Sequence, residues 1–116
     1  MQLQAGLVKI GIGVSLSLSL LTPALASDDK NCMQLMYDHG LASGAQFNCG
    51  YEFYNENIIS RARQCMAIAD EYGERDRLNG ALASGLKDFN SEYESTDSKH
   101  RLCVDFAEDY PSFVHP

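Results

Sequence analysis

Apolar positions change their rhythm once along this chain. Ile10 to Leu21 is a run of twelve residues made only of Ile, Leu, Val, Gly and Ser. After Ser27 apolar residues recur every third or fourth position, the period of a helix with one buried face. No stretch alternates apolar and polar residues over a strand's length, and β-branched residues are sparse. The second part is therefore expected to be all-α.

The clearest stripe is Ile58, Ala62, Cys65, Met66, Ala69 and Tyr72, with Gly73 placed to end the helix as a left-handed cap. A second stripe runs Leu78, Ala81, Leu82, Gly85, Leu86, Phe89 and Tyr93, leaving Asp88, Glu92 and Glu94 to water. Asn79-Gly80 is a good turn dipeptide that could move the break between these helices. Ser95-Thr96-Asp97-Ser98 offers N-cap oxygens for a last helix burying Leu102, Cys103, Phe106 and Tyr110, which Pro111 stops, leaving a short, loose tail.

The first helix carries Met33, Met36, Tyr37, Leu41 and Phe47 as its stripe. Its Gly40 and Gly44 share a helix face and would admit a neighbouring backbone. The plainer reading, preferred on sequence, is that each weakens the helix by ~1 kcal/mol. Four helices over roughly 30–48, 51–72, 75–95 and 98–110 give an up-and-down four-helix bundle.

The early apolar run is too short for a membrane span, which takes ~20 residues of helix. Lys9 precedes it and Ala24-Leu25-Ala26 follows, the small-x-small pattern that a signal peptidase cuts after. Residues 1–26 are thus read as a removable signal peptide rather than a stable membrane anchor, and 27–116 as a single helical domain in the periplasm or outside the cell. That domain is near the size at which an apolar core alone stabilises only marginally.

Export supplies the help. Cys32, Cys49, Cys65 and Cys103 all fall in the expected domain, an even number for an oxidising space. No Cys-x-x-Cys is present for redox or zinc chemistry. Heights along the expected helices choose among the three connectivities. At ~1.5 Å per residue, Cys65 stands ~22 Å and Cys32 ~25 Å above the lower end, whereas Cys49 lies at that end with Cys103 ~7 Å up. Joining Cys65 to Cys103 would leave ~15 Å to close. The predicted pairs are Cys32 with Cys65 and Cys49 with Cys103, making a disulfide-braced bundle.

Charge narrows the partners. The whole chain carries −7, and all sixteen Asp and Glu follow Ser27 while Lys9 leaves with the leader, so the domain carries one negative charge more. Nucleic acid is not expected as a partner and anionic lipid surfaces are poor ones, because both are held by Lys and Arg. A basic protein fits better, although solubility alone also explains the acidity.

No catalytic constellation is visible. His39, His100 and His115 stand in no nucleophile or metalloprotease motif, and the carboxylates around Asp70 to Asp76 alternate with arginines as exposed ion pairs do. We expect neither enzyme activity nor a metal or cofactor. Met33, Met36 and His39 on the first helix with His100 opening the fourth resemble b-type haem bundles in two residues and an architecture. Methionine in a helix stripe is more ordinarily core filler.

What remains is binding. A rigid helical face loses little entropy on docking, so the chain is expected to bind another protein, as a periplasmic inhibitor or immunity-type protein for a cell-envelope-acting enzyme. Candidate contacts are Tyr51, Glu52, Phe53 and Tyr54, of which Tyr51 and Tyr54 could instead close the lower end of the core beside Cys49. The alternative is a structural or stress-related periplasmic protein, an acid-responsive holdase whose many carboxylates lose charge as pH falls.

Overall fold

Asn55 opens the best-defined helix of the domain. Its side-chain oxygen accepts from the Asn57 N–H at 2.9 Å, and Glu56 places negative charge in the first turn, where the helix dipole favours it. The helix buries Ile58, Ala62, Cys65 and Ala69. It ends at Gly73, whose φ of 70° frees its N–H to reach Asp70 O while the Glu74 N–H reaches Ala69 O, the paired closure of a glycine-terminated helix.

In the computed structural model the backbone is described from Ser15 and side chains from Asn31. The expected signal peptide, 1–26, lies outside the residues whose side chains are described. Helix α1 spans Ser15–Cys49, β1 Phe53–Tyr54, α2 Glu56–Glu71, α3 Arg75–Ser95, α4 Lys99–Asp109 and β2 Val114–His115. Residues Cys32–Pro116 form a unit with its own core.

The chain is mostly helical, with three corrections to the sequence expectation. The first helix begins at Ser15 rather than near 30. The second helix begins at Glu56 rather than at 51, because residues 51–55 form a connection that contains β1 and ends in the N-cap Asn55. Residues 111–116 are no loose tail: β2 pairs antiparallel with β1, setting Phe53 against His115 and Tyr54 against Val114. Asn55 fastens this strap through its N–H to Phe113 O at 2.8 Å and its Nδ2 to Ser112 O at 2.9 Å. Val114 is fully buried, so an apolar side chain in the last turn of sequence holds the terminus down. Asn79-Gly80 makes no break and lies inside α3.

Two sulfur bridges brace these elements, Cys32 to Cys65 between α1 and α2 and Cys49 to Cys103 between α1 and α4. Gly40 and Gly44 prove to be more than weak helix positions. A Cβ on Gly40 would stand 2.2 Å from Leu82 O, and one on Gly85 would stand 2.2 Å from Tyr37 O. Backbone lies on backbone where α1 and α3 cross, and no side chain fits between. Gly44 meets Phe89 one turn further on in both helices, so α1 and α3 run in the same direction.

The crossing divides the core. On one side Leu35 and Met36 of α1 pack with Ile58, Ala62, Cys65 and Ala69 of α2 and Leu78 of α3. On the other, Ala42 and Ala45 of α1 pack with Phe89 of α3, Phe106 and Ala107 of α4, Tyr51 and Val114. Tyr54 and Phe113 touch both halves.

Candidate surface at the turn from the first to the second helix

Helix α1 closes with the Gly50 N–H on Gln46 O at 2.9 Å, while Gln46 Nε2 donates to Tyr51 O at 2.7 Å. These bonds fix the path of the connection beside the Cys49–Cys103 bridge. Gln46 Oε1 is buried without a hydrogen-bond partner among the described residues.

The four candidate contacts separate into two pairs. Tyr51 is 8% exposed, stacks on Phe106 at a centroid distance of 6.5 Å and donates its hydroxyl to Cys103 O at 2.6 Å. Burial pushes its phenol up to about 12. Tyr54 turns inward to His39, with its hydroxyl 2.6 Å from Nδ1 and the rings edge-on at 5.7 Å. Burial likewise raises Tyr54 to about 12, and a hydrogen bond with Ser43 opposes the shift. Both tyrosines turn to the interior, because an aromatic body in the core with its hydroxyl satisfied is the stable placement at a helix end.

Glu52 and Phe53 face outward. Phe53 is 47% exposed, and its ring lies 5.1 Å from that of His115 across the strand pair. In β1 successive side chains leave opposite faces, which sends Phe53 to water and Tyr54 to the core.

Phe47, expected in the buried stripe, is 87% exposed. The cause is a change of partner along α1. Met36 and Ala45 are both buried, yet their spacing puts them half a turn out of phase at ~3.6 residues per turn. Leu35 and Met36 of α1 are covered from the side of α2 and Ala42 and Ala45 from the side of α4, on opposite faces. Phe47 follows Met36 by about three whole turns and so lies on Met36's face, which by then has become the outer one. A stripe scored separately over each half of the helix would have found it. Phe47 before the connection, and Glu52 and Phe53 within it, are all exposed. Ile68 of α2 and Tyr72, which caps that helix, are also exposed.

The residues weighed as metal or haem ligands are dispersed. Met36 is buried and Met33 half-buried in the first half-core, His39 faces Tyr54, and His100 is exposed at the start of α4. Among the described residues no three His, Cys, Asp or Glu side chains gather as a metal site, and no helix is long and apolar enough to cross a membrane. The two closed bridges point to an oxidising, extracellular-type compartment. At the α2–α3 corner the Arg75 guanidinium grips both Asp70 oxygens at 2.5 and 2.6 Å and holds that carboxyl below its usual range. No protein-family model, curated protein or solved structure matches the chain.

Proposed function

We propose that this chain is an exported protein, cleaved after residue 26, whose 27–116 domain folds as a disulfide-braced up-and-down four-helix bundle and binds another protein. The observation that carries the proposal is Phe47, a large apolar side chain held almost wholly in water on an ordered helix, two residues from a disulfide. Together with Phe53 and Glu52 it supplies an aromatic anchor pair beside a carboxylate. Buried aromatic anchors dominate binding energy at interfaces, and a pinned backbone loses little freedom on docking.

The acidic balance of the chain selects for a basic partner and accelerates its approach. A periplasmic inhibitor or immunity-type protein directed at a basic enzyme of the cell envelope fits these features. Affinity capture from an envelope extract at neutral pH tests the proposal. Wild-type protein should retain one partner, and a Phe47→Ser, Phe53→Ser double variant with unchanged thermal stability should release it. An empty wild-type capture, or identical capture by the variant, sinks the proposal; broad retention of unrelated proteins only in acid would favour a holdase.

A further inference from the structure

The ribbon formed by β1 and β2 has two faces. On the inner one Tyr54 stands opposite Val114, which is fully buried. On the outer one Phe53 stands opposite His115, both exposed, with ring centroids 5.1 Å apart and planes tilted by 35°. Side chains directly opposite on paired strands support one another. The pair is also held ready: Asn55 ties the ribbon through its N–H to Phe113 O and its Nδ2 to Ser112 O, and Val114 anchors β2. A ligand therefore meets two rings on backbone that is already ordered.

Fixed charge along the ribbon has one sign. Glu52 immediately precedes Phe53 and Glu56 opens α2 three residues beyond it, both exposed. From Asn31 to Ser60 the chain has no Lys or Arg, and none follows Arg101. Neither strand, nor the stretch of helix that leads into it, carries a cation to neutralise these carboxylates from within.

We propose that the outer face of the ribbon receives an arginine side chain of the basic partner, an inference that rests on the protein-binding reading above. The guanidinium stacks on the Phe53 ring beside His115, and its edge N–H groups donate to the Glu52 carboxylate. The negative face of an aromatic ring attracts a cation, and a flat guanidinium engages ring and carboxylate together. A lysine ammonium is a compact and more strongly hydrated charge that lacks the planar fork. An apolar side chain seated there would desolvate Glu52 without giving it a partner, and an anionic ligand would meet like charge.

An NMR titration of the disulfide-bonded protein with acetyl-Gly-Arg-Gly-amide at low ionic strength, run beside the matching lysine and citrulline peptides, tests the site. The ring resonances of Phe53 and His115 should shift and saturate with the arginine peptide, at an affinity at least about threefold above that for lysine, and should not move with uncharged citrulline. Asp105 and Glu108, exposed carboxylates of α4, are the internal control and should show no saturating shift. Phe53→Leu and Glu52→Gln should each weaken binding by about threefold or more. Equal affinity for arginine and either other peptide, an equal response at the α4 carboxylates, or unchanged binding by Glu52→Gln overturns the proposal. Because peptide selectivity is read on the wild type, the test stands even if a variant does not fold. A silent titration beside successful partner capture removes the arginine site and leaves the protein-binding reading standing; an empty capture beside a selective titration does the reverse.

Discussion

Gly40 of α1 and Gly85 of α3 lie so close that the Cα of Gly85 would stand 3.1 Å from a Cβ added to Gly40. The contact fixes how the two helices cross, and the crossing decides which faces of α1 remain for α2 and for α4.

Replacing either glycine by alanine drives a methyl group into a carbonyl oxygen of the facing helix, which rigid backbone cannot yield to. Gly40→Ala and Gly85→Ala are each expected to cost about 3 kcal/mol or more. Gly80 sits in the same helix as Gly85 with open space around it, so Gly80→Ala should stabilise by ~0.5–1 kcal/mol through helix propensity alone. Chemical denaturation of the three variants checks the contrast, and similar effects at Gly80 and Gly85 would refute the close crossing.

Each half-core owns one bridge. Removing Cys32–Cys65 or Cys49–Cys103 by paired Cys→Ala should lower stability by ~2–4 kcal/mol. The loss of protection in hydrogen exchange should concentrate on α2 in the first case and on α4 in the second, since these are the helices each bridge ties to α1. Uniform loss over the whole domain in both variants would contradict the division of the core.

Alkali should unfold the domain through its buried phenols. Tyr51 and Tyr54 rise from 10.0 to about 12 on folding. A raised pKa means a contribution fully present below the unfolded value of 10.0 and lost as pH climbs to about 12. The melting temperature is therefore expected to fall across that window, with tyrosinate absorbance appearing late. Tyr51→Phe, which leaves Cys103 O without its donor, should cost ~1 kcal/mol at neutral pH and reduce the alkaline slope.

Phe47 and Phe89 test the assignment of faces. Phe47→Ser should leave stability within ~0.5 kcal/mol because the ring already stands in water. Phe89→Ala, which empties a site between α1 and α4, should cost ~3–5 kcal/mol. A large loss at Phe47 in thermal melts would show that its ring is needed for the fold.

By itself the amino-acid order determined what depends on near neighbours. The third helix was legible from its stripe to its ends, Gly73 was legible as a cap because only its backbone conformation suits that stop, and the heights of four cysteines along expected helices named the pairs that the structure contains. Tertiary structure decided what depends on which element covers which. It turned Gly40 and Gly85 into a crossing, sent Phe47 outward while burying Tyr51, and drew the last residues back over the joint between the half-cores. A helical period records one buried face, and α1 buries two in succession; nothing in the spacing of its own residues marks where one partner leaves off and the next begins.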